Sequence, residues 1–164
     1  MESNNLVDIP DYDNYKFDLD LGQVYSIKKN KYLKNCFDSK GYYQVGLYKN
    51  GKARNFYIHR LNYISNNPTE DLTGYEIDHI DNNKLNNKIE NLRKCSPSNN
   101  CSNKKSRIDN TSGYKYIIKT KYGYKFQLVK NKIRYYKTFK NLQDSIEYRD
   151  KIVLEKCGEF ANLG

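Results

Sequence analysis

The sequence lacks the features that mark membrane-spanning, secreted and zinc-binding proteins. It contains no tryptophan, one methionine and three prolines, and no apolar run approaches bilayer-spanning length. None of the four cysteines forms a CxxC pair, and Cys95 and Cys101, with no nearby histidine, have a poor spacing for zinc. Met1 is followed by glutamate, serine and asparagine, which is not the start of a signal peptide. We therefore expect an intracellular protein with reduced thiols and no membrane partner.

Aromatic residues, by contrast, are abundant. The 164 residues include 17 tyrosines and 6 phenylalanines, while the hydrophobic content is 37% and the mean hydropathy is −0.98. This composition is poor for one large core. It suits small modules of thin sheets and single helices, in which tyrosine supplies much of the buried area. An AT-rich coding sequence is an equally good reason for the many asparagines, lysines and tyrosines.

Positive charge is concentrated in one stretch of the chain. The net charge is +10, and residues 103–140 alone carry twelve basic residues against one acidic residue. Residues 1–27 have a net charge of −5 and residues 141–164 a net charge of −2. Such a block favours a polyanion, bound through phosphate contacts and counterion release. A solvated surface and an anionic membrane are the alternatives, and no basic amphipathic helix supports the membrane.

The first part of the chain, residues 1–62, is predicted to be rich in β-strands. Asn50 and Gly51 lie between two aromatic, alternating runs. Because both residues accept positive φ, they predict a hairpin turn. A short helix is expected to follow from His59 to about Ser65.

The order strand, loop, strand, helix is predicted for the next part. Residues 75–80 and 92–95 are the strand candidates, and the asparagine-rich residues 81–91 form the loop, which needs side-chain hydrogen bonds to hold its shape. Ser96 is expected to cap a short helix that begins at the next residue, a proline, and ends near Lys105.

Three strands and one helix are predicted for the last part. The strands are expected at residues 114–119, 124–130 and 133–139, and Asn141 and Gly158 fit the two ends of the helix. Alternation assigns to the face packed on the helix the residues Tyr114, Tyr116, Ile118, Phe126, Leu128, Ile133 and Tyr135. It assigns to the outward face the residues Lys115, Lys119, Lys125, Gln127, Arg134 and Tyr136.

Asp78, His79, Asn91 and Asn100 form an ordered set that suits phosphodiester hydrolysis. This reaction needs a base for water and a cation for the negative charge that develops on the phosphate. A neutral histidine supplies the base near pH 7, and a carboxylate with an amide oxygen supplies hard ligands for Mg²⁺. Neighbouring strand residues point to opposite faces, so Asp78 and His79 can line one cleft only if the strand ends there.

The stretch that carries this set resembles a known family of nucleases. Residues 75–100 read YEIDHIDNNKLNNKIENLRKCSPSNN and resemble the HNH endonucleases, in the branch of phage and intron-encoded homing enzymes. The resemblance implies a ββα-metal fold with His79 as the general base. It implies that Asp78 and Asn100 are the ligands of one Mg²⁺ or Mn²⁺ ion. Asn91 is then the asparagine that braces the loop and orients the catalytic histidine.

Three residues near this motif leave alternatives open. Asn99 replaces Asn100 as the ligand if the register slips by one residue. Asn82 stands where the family commonly has glycine, and asparagine tolerates the left-handed conformation. His59, the other histidine, lies near the metal site or has a structural role. We favour the structural role, because His59 precedes a helix remote in sequence from the ligands.

The flanking segments resemble modules that accompany HNH cores. The strings IPDYDNY, GQVYS, GYYQV and YIHRL resemble the NUMOD4 module without its leading tryptophan, and SGYK, KTF and GEFA resemble the AP2 DNA-binding domain. The implied fold class is α+β, with a β-rich module at residues 1–62 and a ββα-metal core at residues 63–107. Residues 108–164 would form a three-stranded antiparallel sheet with one helix, whose outward face binds DNA as β-sheet readers of the major groove do.

The hypothesis that follows is a metal-dependent, site-selective endonuclease that cuts double-stranded DNA and acts as a monomer. A non-catalytic DNA-binding protein with a vestigial HNH core and a protein that binds single-stranded RNA are the alternatives. The intact set of four residues favours the endonuclease, because decay would remove at least one member. We also expect that deletion of residues 108–164 leaves a weak, poorly selective nuclease.

Overall fold

The computed structural model describes residues 5–106 and 108–164, which form four small antiparallel sheets and three α-helices. The strands are β1 (Leu6–Asp8), β2 (Tyr15–Asp18), β3 (Gln23–Ser26), β4 (Lys31–Tyr32), β5 (Cys36–Phe37), β6 (Tyr43–Lys49), β7 (Lys52–Tyr57), β8 (Glu76–His79), β9 (Leu92–Cys95), β10 (Ile117–Thr120), β11 (Gly123–Lys130) and β12 (Ile133–Phe139). The helices are α1 (Ile58–Asn66), α2 (Pro97–Asn103) and α3 (Leu142–Cys157). Within the described ranges, no helix is both long and apolar enough to cross a membrane. The chain divides into two compact units, Met1–Lys94 and Cys95–Gly164.

The first unit is built around two sheets and α1. Strands β1 to β4 form one sheet in sequence order, and β5 to β7 form the second. Alternate residues of these strands point inward, as expected for sheets with one buried face. Together with residues of α1 and with Ile9, which follows β1, they form one apolar cluster, consisting of Ile9, Phe17, Val24, Val45, Leu47, Ile58 and Leu61.

The hairpin predicted at Asn50 and Gly51 is confirmed. Lys49 pairs with Lys52 across β6 and β7, and both turn residues have positive φ, 51° for Asn50 and 74° for Gly51. The predicted helix that follows is also present, because α1 covers the expected residues and extends one residue further at each end.

Strands β8 and β9 pair as a two-stranded sheet within a short stretch of chain. Ile77 of β8 and Leu92 of β9 pack with Leu72 in a small apolar cluster, against Tyr63 and Ile64 of α1. Both strands lie in the segments predicted for them, although β8 is one residue shorter at each end. The loop between them ends in a single 3₁₀ turn at Ile89–Asn91.

The second unit contains α2, the sheet β10–β11–β12 and α3. Phe126 and Leu128 of β11 pack against Val153 and Cys157 of α3, which gives this unit its own core. The predicted caps of α3 are confirmed, because the Asn141 side chain accepts a hydrogen bond from the Asp144 N–H and Gly158 has a φ of 51°. Ser96 caps α2 in the same way, through the Asn99 N–H.

The predicted faces of Lys115, Ile118 and Lys119 are wrong, because β10 begins three residues later than expected, whereas Tyr116 packs on the helix side as predicted. Ile117 N–H donates to the Tyr114 carbonyl in a turn, and Tyr116 adopts a left-handed φ of 65°. This turn shifts the alternation, so that Lys115 is buried, with 7% of its surface exposed, and Ile118 is 48% exposed. Tyr114 and Ile133, which were predicted to pack on the helix, are exposed as well. The inward positions of Phe126 and Leu128 are confirmed.

Candidate active site

Asp78 and His79 are the last two residues of β8, and both are buried. The strand ends at His79, where the Asn82 N–H donates to the His79 carbonyl at 2.9 Å and starts a turn. Asn82 has a φ of 59°, so it adopts the left-handed conformation that its position was expected to need. The condition that allows both side chains to serve one site, a strand end at this point, is therefore met.

The imidazole ring of His79 is held by an asparagine that the sequence did not single out. Its Nε2 atom lies 2.9 Å from Oδ1 of Asn87. An amide oxygen only accepts hydrogen bonds, so in this arrangement Nε2 carries the hydrogen and Nδ1 carries the lone pair. The Asn87 carbonyl in turn accepts a hydrogen bond from Nδ2 of Asn62, a buried residue of α1, at 2.6 Å. Nothing in an asparagine-rich loop distinguishes Asn87 from its neighbours.

Asn91 braces the loop. Its Oδ1 atom accepts from the Asp81 N–H at 3.1 Å, and its Nδ2 atom donates to Asp81 Oδ1 at 2.9 Å and to the Asn86 carbonyl at 2.8 Å. Burial acts to raise the pKa of Asp81, but hydrogen bonds from Asn86, from the Asn83 N–H and from Asn91 outweigh it and lower the pKa. Two turns of the loop are thereby tied together by its own side chains.

The second histidine lies against the first. The ring centroids of His59 and His79 are 5.0 Å apart, and the ring of Tyr57 stacks on His59 at 5.4 Å. Burial of the ring lowers the pKa of His59 most, and the electrostatic influence of His79 and Arg60 lowers it further, to about 3. His59 is therefore neutral at physiological pH. His59 thus lies beside His79, a position that is also compatible with the structural role expected for it. Distance along the sequence was a poor guide, because α1 packs beside β8.

Arg93 of β9 engages the carboxylate of Asp78. Its Nε and Nη2 atoms lie 3.1 Å and 3.0 Å from Asp78 Oδ2, and both side chains are largely buried. This pairing orients the carboxylate. In the parts of the chain that the structure describes, no cluster of three or more His, Cys, Asp and Glu side chains could hold a metal ion. A carboxylate and an amide oxygen still fit Mg²⁺, which keeps several water ligands and needs few from the protein.

The two candidates for the second ligand lie on α2, in the second unit. Oδ1 of Asn99 accepts a hydrogen bond from Nζ of Lys130 at 2.6 Å. The single oxygen of the Asn99 amide is therefore already in contact with an ammonium group. The choice of Asn100 as the second ligand stays a prediction.

The outward face of β10–β12 contains four of the six side chains predicted to bind DNA. Cross-strand pairing puts Lys125 opposite Ile118 and Thr138, Gln127 opposite Tyr136, and Val129 opposite Arg134. Directly paired residues point to the same side of a sheet. Lys119 is exposed, but it does not share this face. It pairs with Tyr124, and Tyr124 pairs with Phe139, which packs on the core side of the sheet, so Lys119 points to the core side as well. Lys115 is buried and does not belong to this face.

Comparisons with known proteins agree with the motif. Residues 56–101 match the model of a family described as HNH endonuclease. The matched segment includes His59, Asp78, His79 and Asn100. Among curated proteins, the DNA endonuclease I-HmuI of Bacillus phage SP01 is 39% identical over 104 residues, which cover 61% of this chain and 57% of that protein. The H-N-H endonuclease F-TflII of Escherichia phage T5 is 37% identical over 94 residues, covering 56% of this chain and 48% of that protein.

The fold comparison points the same way. A solved structure described as DNA binding and cleavage by the HNH homing endonuclease I-HmuI matches with a TM-score of 0.50 and 38% identity, over 56% of this chain and 52% of that one. An uncharacterized HNH endonuclease of Acanthamoeba polyphaga mimivirus is 38% identical over 100 residues, which are 60% of this chain and 29% of that protein. The chain thus spans about half or less of the length of these relatives.

Proposed function

We propose that this chain is a metal-dependent HNH endonuclease of the homing type, which hydrolyses phosphodiester bonds of double-stranded DNA and acts as a monomer. The observation that carries the proposal is the buried end of β8, where His79 follows Asp78 and its Nε2 atom contacts Asn87. The match of this segment to the HNH endonuclease model and the similarity to the homing endonuclease I-HmuI support it.

His79 is the general base of the proposed reaction. With Nε2 engaged by Asn87, the Nδ1 atom accepts a proton from a water molecule. The oxygen of that water attacks the phosphorus atom, the bond from phosphorus to the leaving sugar oxygen breaks, and this oxygen takes a proton from a solvent water molecule. The hydrogen bonds of Asn91 hold the loop that carries Asn87, and Asn87 in turn holds the His79 ring.

One divalent cation, Mg²⁺ or Mn²⁺, completes the proposed site, with Asp78 and Asn100 as its protein ligands. When bound, it stabilises the negative charge that develops on the phosphate oxygens. Arg93 keeps the Asp78 carboxylate in one orientation through two contacts to the same oxygen. His59 fills the space beside the His79 ring as a neutral partner, which limits the rotation of the catalytic side chain.

The outward face of β10–β12 is the proposed DNA-binding surface, in keeping with the AP2 resemblance of residues 108–164. Lys125, Gln127, Arg134 and Tyr136 share this face. Arginine and glutamine can read guanine and adenine edges in a major groove, and lysine positions phosphates. Exposed Ile118 and Val129 on the same face could contact thymine methyl groups. We also propose, from the resemblance given above, that residues 1–62 form a NUMOD4-like module.

Incubation of the protein with supercoiled plasmid tests the proposal. With Mg²⁺ we expect conversion to the relaxed or linear form, and with EDTA we expect none. Gel-shift binding to a linear duplex in EDTA should persist, because the DNA-binding face needs no metal. Binding without any cleavage in Mg²⁺ or Mn²⁺ would instead favour a non-catalytic DNA-binding protein.

A further inference from the structure

Helix α2, which carries the predicted ligand Asn100, has little means of its own to stay folded. It spans seven residues of sequence PSNNCSN, far fewer than an isolated helix needs to persist in water. Its buried residues, Ser102 and Asn103, are polar, so apolar packing of a helix face cannot hold it. Ser96 caps its N-terminal end through the Asn99 N–H. The remaining contacts must come from elsewhere in the chain.

A buried lysine satisfies the C-terminal end of α2. Nζ of Lys115 donates to the Ser102 carbonyl at 2.6 Å and to the Lys104 carbonyl, and the Tyr116 hydroxyl donates to the Ser102 carbonyl at 3.1 Å. The last carbonyls of a helix have no partner within the helix, and a lysine side chain can supply one. Lys115 therefore acts as a C-terminal cap contributed by another element.

A second buried lysine holds the inner side of the helix. Nζ of Lys130, the last residue of β11, donates to Asn99 Oδ1 at 2.6 Å and to Ser102 Oγ at 3.1 Å, and only 6% of Lys130 is exposed. The next N–H along the chain, that of Asn131, donates to Ser98 Oγ at 3.0 Å. A buried ammonium group is costly unless oxygen atoms surround it. The oxygens here belong to α2, so the lysine and the helix depend on each other.

We propose that Lys115 and Lys130 are positioning residues, which hold α2 on the sheet β10–β12 so that the second unit supports the nuclease site as well as binding DNA. The proposal rests on the proposed function, because it gives α2 a catalytic purpose through Asn100. Two lysines of the strongly basic stretch are thereby assigned to the protein interior rather than to phosphates. The expectation that residues 108–164 form a separable DNA-binding module changes accordingly, since their removal also removes Lys115 and Lys130, together with Asn162, which donates to the Asn103 carbonyl.

Three measurements on matched variants test this proposal. Lys130→Met and Lys115→Met keep the aliphatic stem and remove the donor, and Lys125→Met, on the outward face, is the control. Hydrogen exchange of residues 97–103 is measured without metal or DNA, DNA affinity is measured in EDTA, and cleavage is measured as a function of Mg²⁺ concentration. For Lys115→Met and Lys130→Met we expect amide hydrogen exchange in residues 97–103 to be at least about tenfold faster than in the wild type. Their DNA affinity should stay within about twofold of the wild type. Half-maximal cleavage should need several-fold more Mg²⁺.

The control should behave in the opposite way. Lys125→Met should weaken DNA binding and lower its salt slope by about one unit, with unchanged exchange in α2 and an unchanged Mg²⁺ requirement. If Lys115→Met and Lys130→Met lose DNA affinity and salt dependence as Lys125→Met does, with α2 protected as in the wild type, the proposal is overturned.

Two further results keep the test decisive. If either methionine variant loses protection throughout α3, Asn99→Ala replaces it, since this change removes one acceptor of Lys130 without removing a hydrogen bond inside α2. Faster exchange limited to residues 97–103 in Asn99→Ala supports the proposal, and unchanged exchange there overturns it. If the wild-type protein cuts no DNA while the exchange results are as expected, the proposed function fails and the anchoring of α2 stands.

Discussion

The loop at residues 81–91 and helix α2 are both poor in buried apolar side chains, but they are held in place by different means. The loop is tied by its own residues, chiefly Asn91 to Asp81 and Asn86, no more than ten residues apart in sequence. Helix α2 is held by residues from remote strands, such as Lys130, which lies 31 residues from its partner Asn99.

The difference bears on how the site is assembled. A loop fixed chiefly by its own side chains, with one further hydrogen bond from Asn62 of α1 to the Asn87 carbonyl, presents the His79 partner Asn87 once β8, β9 and α1 have formed. A helix fixed from outside presents Asn100 only when the sheet β10–β12 has folded. The proposed base and the proposed second ligand therefore depend on different parts of the chain, and changes in the two regions should give separable effects.

Of the two regions compared, helix α2 is expected to give the larger effect, through the proposed ligand Asn100. Asn100→Ala should lower the cleavage rate about a hundredfold or more, because a lost metal ligand removes several kcal/mol of transition-state stabilisation. Asn99→Ala is the matched control and should cost much less, since Asn99 contacts Lys130 rather than the proposed cation. Single-turnover cleavage rates of the two variants decide the assignment. The reverse order of effects would move the ligand role to Asn99.

A smaller effect is expected from the brace of the loop. Asn91→Ala removes three hydrogen bonds and should slow cleavage about tenfold to a hundredfold by letting the His79 ring move. The free energy of unfolding should fall by about 1–3 kcal/mol, because buried polar partners are left unsatisfied. Urea denaturation and cleavage rates check both values.

The matched control for the loop is Asn83→Ala, which removes one exposed hydrogen bond to the Leu85 N–H. It should change stability and cleavage only slightly. Equal losses for the two variants would mean that the loop tolerates no change anywhere, and Asn91 would have no special role.

The contact between Asn87 and the ring of the proposed base, His79, should contribute about tenfold to the cleavage rate. Asn87→Ala removes the oxygen that holds Nε2 of His79, so the ring can rotate and the fraction in the productive orientation falls. Asn87→Asp keeps an acceptor at the same position and should retain most of the activity. Measurement of kcat for both variants separates this role from a purely structural one, for which Asp and Ala would be equally damaging.

The smallest effect concerns pH and His59. Burial lowers its pKa to about 3, whereas a histidine in the unfolded chain titrates near 6.5. Between these values the unfolded chain binds a proton that the folded chain does not. Stability is therefore full above about pH 6.5 and falls as the pH drops, by up to about 1.4 kcal/mol per pH unit.

The comparison of wild type with His59→Gln checks this linkage. Unfolding free energies at about pH 7.5 and about pH 5 should differ more for the wild type than for the variant, because the variant lacks the titrating group. An equal difference for both proteins would assign the pH dependence to other groups.

Local signals in the sequence predicted the features that depend on neighbouring residues. The Asn50-Gly51 turn, the caps Ser96 and Asn141, and the left-handed Asn82 are each determined by a few adjacent side chains and the backbone conformations they allow. The strand and helix positions of the HNH motif followed from the same local patterns.

Features that depend on packing between remote segments were not predictable in this way. The left-handed Tyr116 shifts the alternation of β10, and no turn residue in the sequence marks it. Lys115 is consequently buried against α2, although a lysine in a basic stretch favours solvent. The contact of His59 with His79 likewise depends on the packing of α1 beside β8.

The rate of single-turnover DNA cleavage by His79→Ala tests the central claim most directly. The proposed function predicts that the variant cuts about 10²- to 10⁴-fold more slowly than the wild type at saturating Mg²⁺, because the general base is lost. Its DNA affinity in EDTA should equal that of the wild type. Cleavage by the variant at the wild-type rate would contradict the assignment of His79 as the base and, with it, the proposed site.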